Sequence, residues 1–208
     1  MVTVKEMSLE KKRESVESLQ VLLEDFALPL VGQELGSDAA RELVGLWRDR
    51  ARHVSADASP EEKYDIAYLN WERNWQTAYD YVSRRLGEAG QQKFERAAVD
   101  AWKRRSGGLS LYFLRAMRAI AGGFAFTTFA KQMAYELQAF TPFTVTELTG
   151  TRMVATIPRC KMLDATDCED ACLVGCQRIY PAWMREQFQV DYRPERTDHS
   201  CTVTFTRA

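Results

Sequence analysis

All five cysteines of this chain lie in its last quarter, and they are the residues best suited to chemistry. Cys168, Cys172 and Cys176 are spaced four residues apart. In an α-helix they would form a stripe on one face, drifting by about 40° per step because the helix has 3.6 residues per turn. Cys160 follows one predicted strand, and Cys201 lies on the apolar side of another. We therefore expect thiols from two strands and their covering helix to meet at one helix–sheet interface.

A catalytic use of these thiols requires a base and a proton donor. His199 lies two residues before Cys201, so strand alternation would place both on the same face. A thiol beside an imidazole is a common source of reactive thiolate, and a carboxylate can orient the imidazole or act as general acid or base. The predicted catalytic residues are therefore Cys160, Cys176, Cys201, His199, Asp164 and Glu169.

Two other interpretations of the cysteines stay open. Free cysteine is among the most buried residue types, so any of them could simply fill a core. Alternatively, Cys168, Cys172 and Cys176 could hold zinc or an iron–sulfur cluster, although no CxxC pair occurs in the chain. A carboxylate-bridged di-iron site is not favoured, because neither His53 nor His199 belongs to a Glu-x-x-His motif.

Charge and hydropathy exclude some classes of partner. The chain has 28 basic and 29 acidic residues, whereas a nucleic-acid-binding protein would show a clear basic excess. The most apolar stretch, residues 109–130, contains Arg115 and Arg118, so we expect a buried helix and no membrane span. The N-terminus carries no apolar run typical of a signal peptide. Free thiols without a secretion signal indicate a reducing compartment, and we expect a cytoplasmic protein.

The first two thirds of the sequence predict helices. Ser59, Pro60 and Glu62 form the clearest start signal, with a capping hydroxyl, proline at the first helical position and glutamate at the third. Pro29 should end the first helix and Gly87 should cap the third. The predicted helices are Ser8 to about Phe26, Ser37 or Asp38 to before His53, Pro60 to Gly87, about 88–105, and about 109–140.

The pattern changes at Thr141-Pro142. Alternating, β-rich segments then flank one helical segment that Pro181 must kink or restart. This predicts an α+β protein in which a helical, bundle-like part (1–140) precedes a cysteine-rich ββαββ module (141–208), the two packed as one compact unit. The small antiparallel sheet would be covered by the cysteine-bearing helix. The predicted strands are 143–149, 152–157, 189–193 and 200–206, and the helix is about 167–188.

The C-terminal part resembles a known family. The features are a strand ending in cysteine (153–160), a helix with Cys176, a bulky proline-containing segment (179–183) and a final cysteine in an alternating strand (198–205). Over residues 143–207 the chain resembles the L-2-amino-thiazoline-4-carboxylic acid hydrolase-like family, and more distantly the 4-vinyl reductase type of small-molecule-binding domain. The resemblance implies a hydrolase that opens a C–N bond of a small cyclic amidine-like ring, with Cys160, Cys176 and Cys201 lining the pocket.

Two functional hypotheses follow. The first is a cysteine-dependent hydrolase of small heterocycles, or a related biosynthetic enzyme. The second is a binding module that uses the thiols for a metal or cluster, or a cleft that senses an apolar ligand. In both cases the partner is a small molecule. A homodimer is a further hypothesis, because Trp71 and Trp75 lie along one side of the third helix and Tyr81 on another; a central helix in a monomer explains this equally well.

Overall fold

The structure is a computed structural model that describes the backbone of residues 4–106, 109–166 and 171–207, and the side chains of residues 4–106, 122–163 and 172–207. Four helices precede a module with the predicted order of two strands, a helical segment and two strands, so the α+β class is confirmed. The elements are α1 (Leu9–Leu35), α2 (Ser37–Arg50), α3 (Pro60–Ser106), α4 (Leu109–Leu137), β1 (Thr144–Leu148), β2 (Arg152–Ile157), α5 (Lys161–Thr166), a π-helix (Ala171–Ile179), α6 (Tyr180–Phe188), β3 (Val190–Thr197) and β4 (Ser200–Arg207).

Helix α3 begins as the sequence predicts. The Ser59 hydroxyl accepts from the Glu62 backbone N–H at 3.2 Å, and the Glu62 carboxylate accepts from the Ser59 N–H at 2.7 Å. This reciprocal pair satisfies two donors that the first turn cannot satisfy internally. The Ser8 hydroxyl caps α1 with a single hydrogen bond, accepting from the Lys11 N–H at 3.3 Å.

The prediction that Pro29 ends the first helix is wrong. Helix α1 continues to Leu35 with Pro29 inside it. Proline removes one backbone hydrogen bond and costs about 3 kcal/mol in a helix interior. The residues that follow offset this cost by packing, since Val31 is fully buried in the hydrophobic core.

Gly87 separates the two helices that were predicted for residues 60–105. Its φ of 62° and ψ of −151° lie outside the helical region, and α3 is therefore two helical segments joined at a kink. Glycine adopts a positive φ without the steric penalty that a Cβ would impose.

The sheet has the order β1-β2-β4-β3, and all neighbours are antiparallel. Val203 and Phe205 of β4 are buried and share a face with the half-buried Cys201, as the alternation predicts. Cys201 pairs with Ile157, the last residue of β2. This register brings Cys201 beside the segment that leads into Cys160.

Strand β3 is longer than the predicted residues 189–193. It runs from Val190 to Thr197 and includes Pro194. Proline has no backbone N–H to donate, so it is tolerated in an edge strand, which has a neighbouring strand on one side only. Strand β3 is an edge strand and can therefore include Pro194.

One hydrophobic core contains side chains from both the helical part and the sheet. Within it, Phe94 of α3 is completely buried and makes edge-to-face contacts with Phe26, Trp75 and Tyr79 at centroid distances of 5.1, 5.7 and 5.5 Å. This cluster packs the two segments of α3 against each other and against α1. Among the described helices, none combines the length and apolar character needed to cross a bilayer.

Candidate functional site

Two neighbouring cavities lie where the helical part meets the cysteine-rich module. The smaller one, the inner chamber, has a volume of about 130 Å³, and the larger one, the outer cavity, about 580 Å³. They share four wall residues, Leu19, Trp102, Phe140 and Tyr180. An apolar cavity of about 150 Å³ holds a benzene-sized molecule, so the inner chamber matches a single small ring.

The inner chamber is lined by aromatic and aliphatic side chains and two thiols. Cys160 comes from the short segment between β2 and α5, and Cys176 comes from the π-helix together with the adjacent Gly175. The aromatic walls are Phe26, Trp71, Trp75, Trp102, Phe140, Tyr180 and Tyr192. Such a surface favours apolar ligands.

Backbone hydrogen bonds fix the position of Cys160. Its N–H donates to the His199 carbonyl at 2.7 Å. The Thr141 hydroxyl donates to the carbonyl of the preceding Arg159 at 3.1 Å. Burial raises the pKa of the Cys160 thiol, while the backbone N–H groups of Leu163 and Met162 act in the opposite direction by hydrogen bonding to the sulfur.

The segment that carries Cys172 and Cys176 is a π-helix, and this differs from the predicted α-helical stripe. Hydrogen bonds from residue i to i+5 widen the turn, and π-helical segments are rare and concentrated at functional sites. Cys172 is buried, while Cys176 has accessible surface and lines the chamber. The four-residue spacing therefore does not place both thiols on the chamber wall.

The thiols share one electrostatic environment. Burial raises the pKa of Cys176, and negative charge on Cys172, Cys160 or Cys201 would raise it further. Burial likewise raises the pKa of Cys201 to about 11, with Cys172 and Cys160 contributing. Burial therefore keeps the thiols of Cys160, Cys176 and Cys201 protonated at neutral pH, and a nucleophilic role requires a base that removes the proton.

The predicted catalytic residues are brought together only in part. Cys160 and Cys176 line the chamber, whereas Cys201 interacts with them electrostatically without forming part of its described wall. His199 lies in the turn before β4, which begins at Ser200, and its side chain is exposed. The prediction placed His199 on the same strand face as Cys201, which required the strand to extend back to residue 199. Because β4 begins at Ser200, the imidazole does not face the chamber.

The predicted acidic partners cannot be placed in the chamber. Asp164 belongs to α5, but its side chain lies outside the described residues, as does the whole of Glu169. Cys168 of the predicted metal set lies outside them too. Within the described part of the chain, no three His, Cys, Asp or Glu side chains are grouped closely enough to hold a metal ion. The proposed zinc or iron–sulfur site on Cys172 and Cys176 gains no support from this.

Sequence reasoning missed two buried polar residues of α3. Glu72 is 1% exposed. Burial is the main cause of the raised pKa of Tyr68 and of Cys160; a negative charge on Glu72 is the second cause for Tyr68 and a smaller one for Cys160. Tyr68 is fully buried, and its hydroxyl makes no hydrogen bond to any described residue. The available signal was the position of Glu72 between Trp71 and Trp75, within an aromatic stripe where a solvated carboxylate would not be expected.

No protein-family model matches this chain, and no curated protein matches it. The resemblance of residues 143–207 to the thiazoline carboxylic acid hydrolase-like family therefore stays a prediction.

Proposed function

We propose that this protein binds a small molecule by enclosing an apolar ring of it in the inner chamber. The observation that carries the proposal is the chamber itself: a volume of about 130 Å³ with aromatic walls and the thiols of Cys160 and Cys176. Protonated thiols are weak donors and polarizable contacts, so they suit a ring with sulfur or nitrogen atoms.

Gly175 offers a direct test by filling the chamber. It lines the cavity, and a Cβ built on it meets no other atom within 4 Å. We expect Gly175→Leu to abolish binding of benzene, toluene and thiophene, measured by calorimetry and by fluorescence of the chamber tryptophans. Gly45→Leu is the matched control, because Gly45 of α2 also has open space around its Cβ position and lies outside both cavities.

Wild-type protein that binds none of these rings would overturn the proposal. Undiminished binding by a folded Gly175→Leu protein would place the ligand elsewhere. Circular dichroism of each variant separates loss of binding from loss of fold.

A second candidate function is hydrolysis of a C–N bond in a small heterocycle, and the electrostatic effect of the buried Glu72 on the Cys160 thiol of the chamber wall favours it. In this reaction Glu72 takes the proton of the Cys160 thiol, and the sulfur attacks the electrophilic ring carbon. The C–N bond breaks as Glu72 returns the proton to the departing nitrogen. Water then displaces the product from sulfur and restores the thiol.

The hydrolase proposal is tested with a cyclic amidine, 2-amino-2-thiazoline, and mass spectrometry of the ring-opened product. Cys160→Ala and Glu72→Gln should each lower the rate by at least a hundredfold. Cys201→Ala should retain the rate within a few fold, because Cys201 is not on the described chamber wall. Full turnover by Cys160→Ala would exclude this mechanism.

A further inference from the structure

The outer cavity carries two opposite charges that do not meet. Arg105 at the end of α3 and Glu136 on α4 both line it. Neither forms an ion pair with a described residue, although Glu136 opposes the lowering of the Arg105 pKa that burial causes. An arginine and a glutamate that line one cavity without pairing with each other can each bind the opposite charge of one ligand.

Both side chains are held by neighbours. The Arg105 guanidinium donates to the Ser18 carbonyl at 2.5 Å and to the Ser18 hydroxyl. One Glu136 carboxylate oxygen accepts from the Gln132 amide at 2.7 Å. These bonds use part of each group, since a guanidinium has five N–H donors and a carboxylate has about four lone-pair sites.

The other residues that line the outer cavity determine which kind of ligand fits beside the two charges. They are mainly apolar and aromatic, including Phe129, Met133, Trp183 and Phe188. Tyr180 lines both cavities, and its hydroxyl makes no hydrogen bond to the described part of the protein. A ligand can therefore place its charged end in the outer cavity and its apolar end in the inner chamber.

We propose that Arg105 and Glu136 bind the carboxylate and the ammonium group of a small zwitterion, whose apolar side chain enters the inner chamber. The ligand class is an α-amino acid, or a close analogue, with an apolar or aromatic side chain. This inference rests on the proposed binding function and adds the chemistry of the ligand's polar end.

Four probes that share a phenyl ring separate the contributions of the charges. L-phenylalanine has both charges, 3-phenylpropionate only the carboxylate, phenethylamine only the ammonium, and toluene neither. Calorimetry should rank L-phenylalanine first, with each singly charged probe at least tenfold weaker, as expected for loss of one charge-assisted contact.

Substitutions should give a crossed pattern. Arg105→Gln should weaken L-phenylalanine and 3-phenylpropionate at least tenfold and leave phenethylamine unchanged. Glu136→Gln should weaken L-phenylalanine and phenethylamine and leave 3-phenylpropionate unchanged. Arg104→Gln is the matched control, since Arg104 is the adjacent arginine, is exposed like Arg105, and lines neither cavity; it should affect no probe.

Toluene binding as tightly as L-phenylalanine, or changes under twofold in both variants, would overturn the zwitterion inference while the proposed ring-binding function stands. Failure of all four probes to bind would overturn both.

Discussion

The backbone N–H of Cys160 donates to the carbonyl of His199 across 2.7 Å, which ties the end of β2 to the turn between β3 and β4. The backbone of His199 therefore positions Cys160 in the chamber wall. The imidazole of His199 is exposed and does not act as the base that the sequence predicted.

Replacing His199 with alanine should leave the site intact, because alanine keeps the carbonyl that accepts from Cys160. We expect toluene affinity and the rate of Cys160 alkylation by iodoacetamide to stay within twofold of wild type. Calorimetry and peptide mass spectrometry provide the measurements, with His53→Ala, at the other exposed histidine, as control. A tenfold loss specific to His199→Ala would restore a role for the imidazole.

Stability should fall in alkaline solution partly through Cys201. Burial raises its folded-state pKa from the usual 9.0 to about 11, so the folded protein retains this proton longer than the unfolded chain. The contribution of Cys201 to the free energy of unfolding is complete below about pH 9 and is lost as the pH rises towards 11.

The measurement is urea unfolding at pH 8 and pH 10.5. Cys201→Ala should lose less stability than wild type over this interval. The buried tyrosines Tyr68 and Tyr192, whose pKa values burial also raises, titrate in both proteins and cancel in the comparison. Equal losses would mean that Cys201 is not shielded from solvent.

Phe94 should be among the most sensitive core positions. It is fully buried against three other aromatic rings, so Phe94→Ala leaves a cavity and should cost about 3–5 kcal/mol of unfolding free energy. Phe124→Ala is the matched control, because Phe124 is 64% exposed and should change stability by no more than about 0.5 kcal/mol. Similar costs at the two positions would contradict the packing described for α3.

Pro29→Ala should stabilise the protein. Alanine restores the backbone N–H missing from the interior of α1 and removes a steric clash, for a gain of up to about 3 kcal/mol. Pro142→Ala should have the opposite sign, because Pro142 lies in a loop where its fixed φ restricts the unfolded chain. Thermal unfolding measures both, and destabilisation by Pro29→Ala would indicate that the proline ring contributes to packing more than its missing N–H costs.

Much of the fold could be predicted because its signals are local. The capping box at Ser59 requires only residues three apart, and the alternation from Cys201 to Phe205 requires only one buried face. Three of the four strands were placed to within about one residue. The exceptions have non-local causes: α1 continues through Pro29 because Val31 packs in the core, and β3 extends past Arg193 because β4 continues alongside it.

The site could be predicted only in outline. The clustering of cysteines pointed to the correct region, and Cys160 and Cys176 do line one chamber. The electrostatic effect of Glu72 on the Cys160 thiol could not be predicted from neighbouring positions, because Glu72 lies on α3, far from Cys160 in sequence.

The amino-acid sequence by itself determined the helix starts, the antiparallel strands and the clustering of thiols in the C-terminal module. The helix starts and strands depend on hydrogen bonding and side-chain periodicity over a few residues. Tertiary packing decided which thiols line a cavity and left the His199 side chain exposed. It also placed Arg105 and Glu136 in the wall of one cavity without an ion pair between them. Cavities and electrostatic partners arise from surfaces that are distant in the chain, so their geometry exists only after the helices have packed on the sheet.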